Sequence, residues 1–257
     1  MLQETFINQK SLIQYLTPWT KTLAAIISST VIALSNNLSV LLPALGIALL
    51  LVSVAGLDFR QIGRRLLILS GFLLMIWLIL PFTYEGEIVW RISFLNVSHE
   101  GLLAATRLTL KTCSMLLIFL ALISTMSTAD LAYALHNLKI PAKLVLLLLI
   151  TYRYIFLIED ELRTLQRAAK VRNFKPDTTL HCYRTYAYLL GMLFVRAAER
   201  AQRVHQAMLC RGFSGRFHSL REYHNRSLDY GFLALVSIIA LLMTLCEWKI
   251  ITLPTPF

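Results

Sequence analysis

Apolar residues recur along the chain in seven stretches separated by short polar segments. The stretches cover residues 22–35, 38–55, 66–82, 102–124, 144–158, 186–198 and 229–249. A helix needs roughly 20 apolar residues to cross a bilayer. The third, fourth and last stretches are therefore the best candidates for membrane-spanning helices. The first two, divided only by residues 35–37, predict a tight helical hairpin whose members are short or tilted.

Composition supports a membrane class. The chain has 257 residues, 57% of them hydrophobic, and a mean hydropathy of +0.63. A chain this apolar is not typical of a soluble domain. We therefore predict an all-α fold, a polytopic membrane helical protein with about five to six transmembrane helices and long amphipathic helices on the cytoplasmic side. No cleaved signal peptide is expected, because residues 1–19 mix Glu4, Lys10 and other polar residues without an apolar core.

Charge indicates the orientation. The formal net charge of +11 is concentrated between the apolar stretches, which favours cytoplasmic loops and anionic lipids over nucleic acid. Residues 56–65 carry a net charge of +2 and residues 83–101 a net charge of −2. Since cytoplasmic loops are enriched in Lys and Arg, the first loop should be cytoplasmic and the second external. The expectation is a multi-pass protein of the inner (cytoplasmic) membrane with its amino terminus inside.

Most of the excess charge lies in residues 159–226, which contain 13 Lys or Arg and 6 Asp or Glu. The charges favour a cytoplasmic position for stretches 144–158 and 186–198, which are short for a span, although the sequence leaves open whether they cross the bilayer. The predicted organisation is membrane helices in residues 1–143, a cytoplasmic region in 144–226 and a last membrane helix in 227–257.

Two amphipathic helices are predicted in this region. The acidic residues 159–161 should open the first, which Asn173 and Pro176 should stop. The second should run over about residues 186–211, with Ala197, Ala201, Val204 and Met208 on an apolar face, and end at Gly212. Such helices could lie on the membrane, pack against the spans or dock into grooves of a soluble protein.

A short pattern occurs at the end of both predicted helices. It reads Ala168-x-x-x-Arg172-Asn173-Phe174 in the first and Ala207-x-x-x-Arg211-Gly212-Phe213 in the second. Asn and Gly readily adopt the left-handed conformation that ends helices, so each arginine should lie in a last turn, where the helix dipole favours a cation. The alternative for either copy alone is an ordinary helix C-cap.

Several segments together resemble the CbiQ/EcfT family, the transmembrane (T) components of energy-coupling factor (ECF) ABC transporters, and the cobalt type in particular. They are residues 124–135 (STMSTADLAYAL), Ile140-Pro141, residues 149–154 (LITYRY) and residues 199–213 (ERAQRVHQAMLCRGF), with Pro18, Lys21 and Leu23 near the start. The last segment is the most specific.

The resemblance implies a non-catalytic scaffold in a four-part importer. Its partners would be two ATP-binding cassette ATPase subunits and a substrate-binding membrane S component, with ATP bound by the partners and no cofactor on this chain. The arginines of the two motifs would insert into the ATPases. Carried over to this sequence, the ATPase-coupling residues are Ala168, Val171, Arg172, Asn173, Ala207, Cys210, Arg211 and Gly212. Asn173 replaces the family's usual glycine, while Val171 and Cys210 replace the usual alanine.

The cargo implied by the resemblance is cobalt or nickel ion, and a shared T component for vitamin uptake is the alternative. A membrane-embedded enzyme and a stand-alone carrier are the rival classes. The sequence contains no Gly-rich phosphate loop. Because His181, His205, His218 and His224 are irregularly spaced in a basic region, we interpret them as surface residues rather than metal ligands.

Overall fold

The computed structural model describes residues 16–57, 59–83, 88–92, 95–213, 215 and 227–252. In these residues the chain forms eight helices and one β-hairpin. The elements are α1 Pro18–Leu34, α2 Leu38–Val54, α3 Phe59–Thr83, β1 Ile88–Ile92, β2 Leu95–Ser98, α4 His99–Leu122, α5 Thr128–Asn137, α6 Ala142–Val171, α7 Leu180–Cys210 and α8 Ser227–Thr252. The all-α membrane class is confirmed, with the small hairpin as an addition.

Two compact units divide the chain. One comprises Leu2–Ala134 and Glu222–Phe257 and is called here the bundle unit; the other comprises Leu135–Arg221 and is called the arm unit. The bundle unit contains α1–α4, α8 and the larger part of α5, and the arm unit contains α6 and α7. The domain boundaries proposed from the sequence, after residues 143 and 226, stay a prediction.

Small residues bring the helices of the bundle unit close together. Ala24 of α1, Ala44 and Ala48 of α2 and Ala121 of α4 are almost completely buried. In these helices α2 packs on α4, and α1 packs on both α4 and α8. Membrane helices associate through such close backbone approaches, since lipid offers no hydrophobic gain for their contact. The buried side chain of Leu41 fills space in the same cluster.

Buried polar groups tie α8 to the start of α1. Asp229 is 1% exposed, and its Oδ1 accepts a hydrogen bond of 2.8 Å from the backbone N–H of Thr17. Lys21, also buried, lies within electrostatic range of Asp229 and of Asp130 in α5. Because buried charges are tolerated only when paired, these residues fix where the helices meet.

A second polar group lies at the α1–α2 connection. Lys111 Nζ donates to the carbonyl of Ala33 at 2.9 Å and to Asn36 Oδ1 at 3.0 Å, and Glu247 Oε1 accepts the N–H of Asn36 at 2.7 Å. Lys111 of α4 thus contacts the turn between α1 and α2.

Three described helices are long and apolar enough to cross a membrane: Ile62–Thr83 of α3, all of α4 and Ser227–Trp248 of α8. These correspond to the best candidates from the sequence. The predicted hairpin is also present, with α1 and α2 of 17 residues each. Pro81 lies in the last turn of α3, two residues before the helix ends.

The two amphipathic helices begin earlier than predicted. The acidic residues 159–161 lie within the 30-residue helix α6, because no Pro or Gly interrupts residues 142–171. The sequence turns from apolar to acidic at these residues, but the helix continues through them. Helix α7 begins at Leu180, where Thr179 Oγ1 accepts the N–H of Cys182 at 3.4 Å as an N-cap. Both corrections lengthen α6 and α7, which are called here the arms.

Candidate functional site

The first motif forms the carboxyl end of α6. Arg172 is the C-cap residue, with φ −84° and ψ 20°, and Asn173 follows in the left-handed conformation at φ 63°. The N–H of Asn173 donates to the carbonyl of Lys170 at 3.0 Å, and the N–H of Phe174 donates to the carbonyl of Ala169 at 3.1 Å. This pair of bonds is the Schellman motif. Asn173 therefore takes the backbone conformation that a glycine would take.

The second motif repeats this geometry at the end of α7. Arg211 is the C-cap residue, with φ −91° and ψ 10°, and Gly212 has φ 76°. The N–H of Gly212 donates to the carbonyl of Leu209 at 2.9 Å, and the N–H of Phe213 donates to the carbonyl of Met208 at 3.1 Å. The two arginines thus occupy equivalent positions in two helix ends of the same build.

A third helix shows that this cap does not require arginine. At the end of α5, the N–H of Lys139 donates to the carbonyl of His136 at 3.0 Å, and the N–H of Ile140 donates to the carbonyl of Leu135 at 3.2 Å. Lys139 is left-handed at φ 62°, and Leu138 occupies the C-cap position that the arginines occupy elsewhere. The capping interpretation explains the Asn and the Gly, but it does not explain the two arginines.

Both arginine side chains are exposed, and neither guanidinium forms a hydrogen bond or ion pair with a described residue. Val171 is 88% exposed, and Ala168, Ala207 and Cys210 are exposed as well. Each motif therefore presents a small or short apolar surface with a guanidinium beside it. A guanidinium carries five N–H donors in a planar fork, which suits carboxylates and carbonyls of another molecule.

The length of α7 separates the two sites. Arg172 precedes the start of α7 and Arg211 follows its end, so most of the 31 residues of α7 lie between them. The predicted site residues are therefore not gathered in one pocket. They form two equivalent sites at opposite ends of one long helix.

Apolar contacts hold the arms together between these sites. The Phe174 and Tyr186 rings meet edge to face, with their centroids 5.5 Å apart. Further along, α6 and α7 enclose an apolar groove of about 440 Å³. The apolar face predicted for the second helix lines this groove, with Ala197, Ala201, Val204 and Met208 among its lining residues.

Two features of the arms were missed in the sequence. One is the ion pairing of Glu161 with Arg196 and Arg200 across the helices. The other is the third cap, for which Lys139 before Ile140-Pro141 was the available signal. Among the described residues no group of three or more His, Cys, Asp or Glu is placed to hold a metal ion. His181 and His205 are exposed, whereas His218 and His224 lie outside the described residues.

Comparison with known proteins places these observations in context. The model of the CbiQ family, described as "Cobalt transport protein", matches residues 9–223. An uncharacterized protein of Methanocaldococcus jannaschii is 22% identical, over 95% of this chain and 86% of its own length. The cobalt transport protein CbiQ of Rhodobacter capsulatus is 27% identical, over 66% of this chain and 70% of its own. The energy-coupling factor transporter transmembrane protein EcfT of Bacillus subtilis is 26% identical, over 84% and 85%.

Proposed function

The chain belongs to the CbiQ cobalt transport protein family, and on that premise we propose that it couples ATP hydrolysis by two ATP-binding cassette subunits to uptake through a substrate-binding S component. Members of this family are transmembrane components of transporters, and the apolar helices α3, α4 and α8 fit that role. The proposal adds the partners and the residues that engage them. The chain itself would be a non-catalytic scaffold.

The observation that supports this proposal is the pair of equivalent helix ends with exposed arginines that have no partner among the described residues. Arg172 and Arg211 are set in the same Schellman geometry, while α5 achieves the same cap with Leu138. A cation at a helix C-terminus is favoured by the dipole, and its fork remains available for a partner. Two equivalent, separate sites fit two equivalent partners, as a pair of ATPase subunits would supply.

Each arginine would bind carboxylates or backbone carbonyls in a groove of one ATPase subunit. The residues before it, Val171 and Cys210, are small enough to let the helix end enter such a groove. Movement of the ATPase pair would then displace the ends of α6 and α7, and these helices would pass the movement to the membrane helices. This role requires the arms to face the cytoplasm, with the amino terminus also inside and the chain in the inner membrane.

Cobalt ion, or the related nickel ion, is the proposed cargo. The family description and the relative in Rhodobacter capsulatus both name cobalt transport. A shared scaffold for vitamin uptake is the second candidate; the relatives in Bacillus subtilis and Streptococcus equi are named as energy-coupling factor transporter transmembrane proteins, a name that specifies no cargo. The S component would decide between the two cargoes, since it would bind the substrate.

Arg211→Ala tests the proposal most directly. The tagged chain, expressed with its genomic neighbours, should co-purify two ATPases and a small membrane protein in mild detergent. Arg211→Ala and Arg172→Ala should each lower ATPase recovery at least about tenfold, the loss expected when a charge-assisted hydrogen-bonding anchor is removed from an interface. Metal uptake by the same cells should fall to background while the amount of the chain in the membrane stays constant.

Arg167→Ala is the matched control. Arg167 is an exposed arginine of α6 that lies outside the cap, so its removal should leave ATPase recovery and uptake near the wild-type level. Normal uptake by the Arg211→Ala variant would contradict the proposal. Absence of any ATPase from the wild-type preparation would instead favour an enzyme or a stand-alone carrier.

A further inference from the structure

Glu161 links the two arms by ion pairs. It lies on α6, and its Oε1 accepts a hydrogen bond from Nη1 of Arg196 on α7, while its Oε2 lies 3.4 Å from Nη2 of Arg200. In the described part of the arm unit, the other ion pairs, Glu159 with Arg163 and Glu199 with Arg203, stay within one helix. Glu161 is thus the carboxylate that connects α6 to α7.

The surroundings of Glu161 strengthen this connection. Its side chain is 23% exposed, compared with 40% for Glu159 and 60% for Glu199. It lies in the wall of the apolar groove between the arms, together with both arginine partners. Partial removal from water increases the attraction between opposite charges, so this pairing is worth more than an exposed one. Loss of the carboxylate would leave two like charges facing an apolar groove.

The position of the link relates the two copies of the motif. Glu161 lies eleven residues before Arg172, and its partners Arg200 and Arg196 lie eleven and fifteen residues before Arg211. These intervals are helical, so eleven residues measure about three turns and fifteen residues about four. The contact therefore joins similar positions of the two arms, three turns from Arg172 and three to four turns from Arg211. A small rotation at this point would move both helix ends by similar amounts.

We propose that Glu161 is a positioning residue which, by pairing with Arg200 and Arg196, holds α6 and α7 in contact about three turns before Arg172 and three to four turns before Arg211, and so sets the separation of the two ATPase contacts. This inference rests on the proposed function for its consequence, but its geometric part concerns the arms alone. Arg196 and Arg200 lie one turn apart on α7, so the carboxylate retains one partner when the helices shift by part of a turn.

The distance between the two helix ends is the direct test. In the full-length chain, native Cys210 and an introduced Val171→Cys provide matched exposed label positions beside the two arginines, after replacement of Cys113, Cys182 and Cys246 by Ser. Double electron–electron resonance between the two spin labels then measures the distance between the two helix ends. Glu161→Gln should shift and broaden the distance distribution, because the carboxylate charge that holds Arg196 and Arg200 is lost. In the unlabelled chain assembled with its partners, the same variant should lower uptake per ATP hydrolysed about twofold or more.

Two further variants give the test its controls. Glu159→Gln, which breaks a pair within α6, should leave the distribution unchanged. A charge exchange, Glu161→Arg combined with Arg196→Glu and Arg200→Glu, should restore the wild-type separation, a rescue that a change of packing alone would not produce. A folded exchange variant that keeps the broadened distribution would overturn the proposal.

The outcomes separate this inference from the proposed function. If Glu161→Gln leaves the distance unchanged while Arg211→Ala releases the ATPases, the positioning role is wrong and the scaffold role stands. If Glu161→Gln changes the distance but Arg172→Ala and Arg211→Ala retain the ATPases, Glu161 does position the two helices and the proposed function is wrong.

Discussion

The bundle unit and the arm unit are both helical, but they use their side chains differently. Helix α4 has 24 residues and buries eight of them, whereas α7 has 31 residues and buries Cys182. Helix α6 buries Val145 and Leu165 in its 30 residues. The bundle unit thus has a buried core, although most apolar residues of α3 and α8 stay at its surface. The arms bury far fewer residues and leave their arginines at the surface. Changes in the bundle unit should therefore affect stability, and changes in the arms should affect association with other molecules.

The largest effect on stability is expected at Asp229 in the bundle unit. Asp229→Ala removes the acceptor of the Thr17 N–H and one of the carboxylates near the buried Lys21. Breaking a buried charge pair by removing one partner costs about 3–5 kcal/mol. Thermal unfolding in detergent should show a clearly lower midpoint, while Asp229→Asn, which keeps an acceptor for Thr17, should lose less. Equal losses in the two variants would show that the hydrogen bond to Thr17 contributes little.

Two adjacent leucines of α2 provide an internal comparison of slightly smaller size. Leu41 is completely buried, whereas its neighbour Leu42 is 60% exposed. Leu41→Ala should cost about 2–5 kcal/mol of unfolding free energy because it leaves a cavity. Leu42→Ala should cost well under half as much, as the side chain has few contacts to lose. Similar thermal midpoints for the two variants would mean that packing in the bundle unit is looser than the buried cluster indicates.

The smallest effect on stability is expected at Asn173 in the arm unit, where the role of the cap can be separated from that of the arginine. Asn173→Gly should leave stability nearly unchanged, because both residues adopt φ 63° readily. Asn173→Val should cost about 1–2 kcal/mol, the penalty for a left-handed conformation. Because the altered cap lies directly after Arg172, this variant should also lower ATPase recovery in the co-purification assay. Full recovery with the valine would indicate that Arg172 binds without a fixed cap.

Local signals in the sequence predicted much of the fold. The apolar stretches located the ends of α1, α2, α4 and α8 to within about four residues, and they located the end of α3 but not its start. Asn173 and Gly212 marked the ends of α6 and α7. These features depend on residues near one another in the chain, where periodicity and capping chemistry are visible. The acidic residues 159–161 led to a wrong helix start, because acidic residues are common in the first turn of a helix. Here Glu159 pairs with Arg163 in the same helix, and Glu161 pairs with Arg196 of α7.

What the sequence did not predict depends on contacts between distant residues. Glu161 meets Arg196 and Arg200 across 35 and 39 positions, and no periodic pattern in one helix specifies that meeting. The hairpin of β1 and β2 is short, so its alternation is too brief to distinguish from a loop. The positions of Arg172 and Arg211 at helix ends were predictable, whereas the link midway between them required the folded arms.

The left-handed residue after each arginine has a consequence for which sequences can form such a helix end. Because the helix end needs only a residue that tolerates positive φ, Asn173 and Gly212 meet the same requirement with different side chains. Lys139 meets it too, which widens the set of acceptable replacements. In this chain the two helix ends therefore share an arginine followed by a residue of positive φ, and they do not share the sequence Arg-Gly.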